Sequence, residues 1–242
     1  MSVFRFKKFE VVNERSAMKV NTDGVLLGAA MTILPSDKFL LDIGTGTGTI
    51  ALMAAQRLSA ISSDEVTVDA IDIDEPSASE AAANFAASPW AHNLSAHHLS
   101  LDEFAAGNQT RYDLIFSNPP YFEDSLTAPD ARKSTARHTS VGLSYRDIFE
   151  FAKTHLTAEG RVSIVLPSDL ENDMTRYARM SGLHLFRILR IRTVPRKSPS
   201  RIIAEFSSSR PVQLVEELLT IQDEGKYTQE YLSLTCDFYL FA

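Results

Sequence analysis

The sequence predicts an α/β protein built on a doubly wound, mostly parallel seven-stranded sheet with an antiparallel edge hairpin. Three observations carry that expectation. Short apolar runs alternate with helix-like stretches along the chain, as in strand–helix–strand units. The run Phe39–Ile43 leads straight into Gly44-Thr45-Gly46-Thr47-Gly48, and an apolar helix begins near Thr49. A second run, Tyr112–Ser117, ends in Asn118-Pro119-Pro120-Tyr121. Sheets of this kind bind ligands outside the carboxyl ends of their strands, so both turns are candidate site elements.

Strands are expected at 39–43, 66–73, 94–99, 112–117, 161–166, 184–191 and 202–207, and helices at 49–58, 76–87, 144–156 and 171–180. Pro76 suits the first turn of its helix, and Ser144 is placed to cap the helix that follows it. The last two strands, joined through the turn-rich segment 194–200, would form the edge hairpin. Segment 123–142 is polar and too long for a simple crossover, which suggests a functional loop at the substrate entrance. The chain is expected to be one domain over 1–242, with an N-terminal cap and helix at 1–38, a core at 39–207 and a C-terminal extension at 208–242.

Composition sets the outer limits. A chain of 242 residues buries a sizeable core. Cys236 is the only cysteine, which precludes an intramolecular disulfide and suits a cytosolic setting. The first ten residues lack the apolar stretch of a signal peptide, and no run is long enough for a membrane span. The net charge of −7 opposes non-specific nucleic-acid binding by the molecule as a whole. The charge is unevenly placed, however. Segment 186–203 holds Arg187, Arg190, Arg192, Arg196, Lys197 and Arg201 and no acid, while Arg132, Lys133, Arg137 and His138 follow the Pro-Pro turn. Local basic surfaces of this kind hold phosphate backbones on otherwise acidic proteins; the alternative is a solvated face. The six histidines lack metal-ligand spacing, and no metal is expected.

The two turns suggest chemistry. Alternating glycines let the backbone approach a ligand closely at a helix N-terminus. Asp42 precedes them by two residues, and the second strand ends in Ile71-Asp72-Ile73-Asp74, where an acid suits ribose hydroxyls. The spacing differs from the dinucleotide fingerprint. At the other turn, the Asn118 carbonyl oxygen accepts from an amino group. Pro119 and Pro120 stiffen the backbone, and Tyr121 offers a face for stacking a base. Asn-Pro-Pro-Tyr resembles the motif of S-adenosylmethionine-dependent amino-group methyltransferases.

The whole chain is similar to the bacterial adenine-N6 methyltransferases that modify valine tRNA at position 37. The resemblance runs through Lys19-Val20-x-Thr22-Asp23-Gly24-Val25-Leu26-Leu27-Gly28, Leu41-Asp42-Ile43-Gly44, Ala87-Ser88-Pro89-Trp90-Ala91 and Phe116 to Phe122. It continues through the basic run Arg132 to His138 into the tail from Tyr227 to Leu240. It implies a Rossmann-like class I methyltransferase with S-adenosylmethionine as cofactor and tRNA as partner, and a monomer is expected. Thr22, Asp23, Asp42, Gly44, Gly46, Gly48, Asp72 and Asn118 are then cofactor-site candidates, with Asp23 facing the methionine amino group. The other reading of Thr22 or Asp23 is a helix N-cap. Related enzymes often place an acid directly after the third strand to hold the cofactor's adenine amine. That place is Ser100 here, and Asp102 is the candidate substitute. Asn118, Pro119, Pro120 and Tyr121 would hold the acceptor base, and Arg132, Lys133, Arg137, Arg192, Arg196 and Lys197 the RNA. Two alternatives stand beside this reading: a glutamine-N5 protein methyltransferase or other amino-group methyltransferase, which would use the same grip, and a non-catalytic RNA-binding module on a relic cofactor fold.

Overall fold

The computed structural model describes residues 2–62, 64–120 and 142–242. In chain order the elements are β1 (Val3–Arg5), β2 (Glu10–Val12), α1 (Thr22–Ala30), β3 (Phe39–Ile43), α2 (Thr49–Ile61), β4 (Thr67–Asp72), α3 (Glu75–Ala86), β5 (Leu94–His98), α4 (Leu101–Gly107) and β6 (Tyr112–Ser117). There follow α5 (Tyr145–His155), β7 (Leu156–Pro167), α6 (Glu171–Met180), β8 (His184–Arg192), β9 (Arg201–Ser207), β10 (Val215–Thr220), β11 (Gln222–Asp223), β12 (Lys226–Tyr227) and α7 (Gln229–Thr235).

Eight strands form the central sheet in the order β10-β8-β9-β7-β6-β3-β4-β5. Strands β3 to β7 are mutually parallel, β9 runs antiparallel to both β7 and β8, and β10 lies parallel to β8. The doubly wound sheet and its hairpin are present as expected. An eighth strand, β10, extends the sheet beyond the hairpin, and its mostly exposed pattern gives no alternation to read. Strand alternation divides the interior into two layers. Leu40, Leu114 and Phe116 meet α1, α2, α3 and α7, whereas Leu41, Ile115 and Ile164 meet α4, α5 and α6.

The termini of the chain are sewn to this frame. Phe6 stacks on Phe9 and Tyr239, while Tyr231 and Phe238 from the C-terminal segment are buried in the same cluster. The buried Glu205 carboxylate on β9 accepts from Thr32 N, Thr32 Oγ1 and Arg187 Nη1 at 2.8, 2.9 and 2.6 Å, which ties the end of α1 to β8 and β9. A buried charge stripped of its partner costs about 3–5 kcal/mol, so this junction fixes α1 against the sheet.

Strand direction decides where the site lies. β3, β4, β5, β6, β7 and β8 all end on one edge of the sheet, and β9 begins there. The glycine turn, the Asp72 end of β4, the Asn118 turn and the β8–β9 loop therefore share that edge. Among the described residues, no helix is long and apolar enough to cross a membrane.

Candidate active site

Gly44, Gly46 and Gly48 have φ values of 73°, 57° and 79°, a region that side chains other than glycine enter only under strain. Gly48 is also a close approach: a Cβ there would lie 2.4 Å from Phe85 Cε1. The turn is fastened to β4, because Gly44 N and Thr45 N both donate to Ile71 O, at 2.9 and 3.0 Å. Gly46 N donates to Asp72 Oδ2 at 2.8 Å, and Asp74 N donates to Asp72 Oδ1 at 2.9 Å. Each Asp72 oxygen thus holds one backbone N–H, and a carboxylate has about four acceptor sites, so capacity remains for a ligand's hydroxyls.

Two carboxylates, Asp42 and Asp72, bond to this turn. Asp42 is fully buried; its Oδ2 accepts from Thr45 Oγ1 at 2.8 Å, and its Oδ1 has no partner among the described residues. Burial pushes its carboxyl up to about 7, against the Thr45 hydrogen bond and with the help of the nearby Asp72 charge. Burial also raises Asp72, despite its two backbone donors. A cation held beside them would favour the ionised form of both.

The Asn118 turn is brought to the same place by the parallel pairing of β6 with β3, and one hydrogen bond extends that pairing. Ser117 Oγ donates to Ile43 O at 2.6 Å, joining the end of β6 to the last residue of β3. Asn118 and Pro119 are buried and Pro120 is half-buried. The Asn118 side-chain N–H donates to Met18 Sδ at 3.6 Å. Tyr121, Arg132, Lys133, Arg137 and His138 lie outside the described residues, as does most of segment 123–142.

The other expected site residues fall as follows. Asn21 caps α1, its side chain accepting from Gly24 N at 2.8 Å. This corrects the N-cap reading of Thr22 and Asp23, since both lie within the first turn, past the cap position. Thr22 is exposed at the helix start, and Asp23 pairs with Arg201 Nε at 2.9 Å. Asp74 caps α3 through Ser77 N, leaving Asp72 the better-placed acid of the pair. Ser100 is occupied in a capping box with Glu103, and Asp102 is exposed in the first turn of α4 at the same sheet edge.

The basic run divides in two. Arg187 pairs with Glu205 and Glu217, and Arg190 with Glu171 and Glu216. Strand β10 supplies two of these acids, which cancels part of a charge that looks uncompensated in sequence. No carboxylate among the described residues forms an ion pair with Arg192, Arg196 or Lys197 at the β8–β9 loop, where Arg196 and Lys197 are exposed.

Sequence reasoning missed three residues near the turn. Ile73, directly after Asp72, is 74 % exposed and presents an apolar wall; its signal was an apolar residue between two acids at a strand end. Ser16 and Met18 overlie the glycine turn, a Cβ on Gly46 falling 3.3 Å from Ser16 Oγ and 3.7 Å from Met18 O. No local pattern announces them.

A glycine-turn strand–helix unit, an acid at the next strand end and an Asn-Pro-Pro turn, all at one edge of this sheet, define a class I methyltransferase. The comparisons agree. Residues 16–182 match the family described as methyltransferase small domain. A tRNA1(Val) (adenine(37)-N6)-methyltransferase from Bacteroides fragilis is 40 % identical over 238 residues, covering 98 % of this chain and 97 % of its own. The protein of that name from Photorhabdus laumondii is 37 % identical, with 98 % and 95 % covered. The chain belongs to the methyltransferase small-domain family, within the group of tRNA1(Val) (adenine(37)-N6)-methyltransferases. Among solved structures, a predicted O-methyltransferase from Agrobacterium tumefaciens matches with TM-score 0.63 at 15 % identity, covering 89 % of this chain and 96 % of the other. The Thermus thermophilus 16S rRNA N2 G1207 methyltransferase, solved with AdoMet and guanosine, matches with TM-score 0.56 at 18 % identity over 86 % and 50 %. Both likenesses concern the fold.

The geometry of the turn yields a paired test. Gly182 shares the φ of 79° but has open space around its Cβ position. Gly182→Ala should cost about 1 kcal/mol, from backbone strain alone. Gly48→Ala adds a clash with Phe85 and should cost about 2–4 kcal/mol in urea unfolding. Equal costs would mean that Phe85 yields freely.

Proposed function

We propose that this protein transfers a methyl group from S-adenosylmethionine to the exocyclic N6 of adenine 37 in tRNA(Val). The observation that carries the reading is the meeting of Asn118 with the glycine turn through the Ser117–Ile43 hydrogen bond. The residues present fit the cofactor. Asp72 keeps acceptor capacity for ribose hydroxyls, Ile73 gives the adenine an apolar wall, and Asp42 and Asp72 together favour a cationic ligand. Asp23 would take the cofactor's ammonium while paired with Arg201. Bound S-adenosylmethionine supplies the electrophilic methyl group.

The protein's task is to make a poor nucleophile reactive. The adenine amine's lone pair is delocalised into its ring. Hydrogen bonds from that amine to the Asn118 side-chain oxygen and the Pro119 carbonyl favour a pyramidal nitrogen and stabilise the positive charge that develops on it. The Pro-Pro turn holds both acceptors still, so the bonds need little reorganisation. Tyr121 would stack on the extruded base. After transfer the nitrogen is acidic and loses its proton readily, so a general base is not required in the transition state. The same grip would serve a glutamine amide, but Arg192, Arg196 and Lys197 beside the site favour a polyanionic substrate.

Two measurements test the proposal. Asn118→Ala should lower the single-turnover rate of methyl transfer to tRNA about 100- to 1,000-fold, with RNA affinity nearly unchanged. A rate near wild type would remove Asn118 from the chemistry. Replacing Arg192, Arg196 and Lys197 together by Ala should weaken tRNA binding and flatten its salt dependence by about 0.7–0.9 per lost phosphate contact. An unchanged salt slope would make this loop a solvated face.

A further inference from the structure

The N-terminal segment between β2 and α1 has no regular structure, yet helix α3 grips its backbone. The buried Glu80 carboxylate accepts from Glu14 N at 2.7 Å, from Arg15 N at 3.0 Å to both oxygens, and from Ser16 N at 2.7 Å. Hydrogen bonds to an ionised acceptor are stronger than neutral ones, and backbone donors hold Glu80 below the usual carboxylate range despite its burial. One turn further along α3, the Asn84 side chain accepts from Val12 N at 2.8 Å and donates to Val12 O at 3.0 Å. The Asn84 side chain also donates to Thr47 O at 2.9 Å, so the same residue holds the glycine turn. Ser16 Oγ in turn donates to Met18 O at 3.0 Å.

Glu80 and Asn84 on α3 and Ser16 in this segment therefore fix the position of Met18. Its side chain is 38 % exposed at the carboxyl edge of the sheet, and its sulfur accepts from the Asn118 amide at 3.6 Å. A thioether accepts hydrogen bonds but cannot donate them. It consequently selects one of the two orientations open to a carboxamide: the NH2 turns to Met18 and the carbonyl oxygen faces away from the segment. Presented the other way, Asn118 would offer donors to the acceptor amine and repel it.

We infer that Met18 is a further positioning residue of methyl transfer, which acts through Asn118 by fixing the orientation of its amide. This rests on the reading of Asn118 as the amine-holding group. The latch formed by Glu80, Asn84 and Ser16 keeps the sulfur in place without contributing to the chemistry. A purely apolar role for Met18 would be filled equally well by leucine. An orienting role needs an acceptor, which leucine lacks and glutamine keeps at similar length.

The test uses the full-length protein, tRNA(Val) transcript and S-adenosylmethionine, with folding of each variant checked by thermal unfolding. Met18→Leu should reduce the single-turnover rate about three- to tenfold, the worth of one ordinary hydrogen bond, with tRNA and cofactor affinities within about twofold of wild type. Met18→Gln should recover most of that loss. In the Asn118→Ala background, Met18→Leu should have no further effect, because there is no amide left to orient. A wild-type rate for Met18→Leu, equal losses for Leu and Gln, or an undiminished effect in the Asn118→Ala background would each overturn the inference. A wild-type rate for Asn118→Ala alone would overturn the underlying amine-holding reading and this inference with it.

Discussion

The glycine turn between β3 and α2 is the constraint on which the rest of the site depends. Its three left-handed residues reverse the chain within five positions, so α2 starts against the sheet edge. The reversal directs Gly44 N, Thr45 N and Gly46 N toward the end of β4. A Cβ at Gly48 has no room, because Phe85 of α3 closes on that point and Ala81 backs it. Packing of α3 and conformation of the turn are therefore one condition. Asp42 is buried as a consequence, and its raised titration is the electrostatic cost of placing a carboxylate beneath the turn.

Helix α3 joins the parts that chain order separates. Phe85 sets the turn, Asn84 holds both the turn and β2, and Glu80 holds the segment that carries Met18. On the other side of the site, Arg201 at the start of β9 meets Asp23 of α1, while Glu205 in the same strand anchors the end of that helix. The site is consequently enclosed by elements from the N-terminal segment, three strand ends and the hairpin, each fixed by polar contacts of long sequence separation.

Much of this was legible in the chain, and the physical reason is locality. Glycine spacing, strand-end acids and the Pro-Pro turn are local requirements of backbone conformation, so the left-handed turn at Gly44, Gly46 and Gly48 and the strand ends at Asp72 and Asn118 could be read as candidate positions before any fold was known. Ser144 capped its helix as expected because a cap is also local. What could not be read depends on partners far away in sequence. The acids Glu216 and Glu217 that neutralise Arg190 and Arg187 sit on β10, a strand with no apolar alternation. Ser16 and Met18 owe their place to Glu80, more than sixty residues on. Asn21 took the cap from its neighbours because α1 begins one residue earlier than the Thr-Asp-Gly motif suggests.

We propose that the adenine amine of tRNA(Val) is what this site methylates. This is tested most directly by incubating the protein with unmodified tRNA(Val) transcript and methyl-labelled S-adenosylmethionine, digesting the RNA, and identifying the labelled nucleoside and its position by mass spectrometry. The labelled nucleoside should be N6-methyladenosine at position 37. Label on another nucleoside, or label that enters only a protein glutamine, would contradict it.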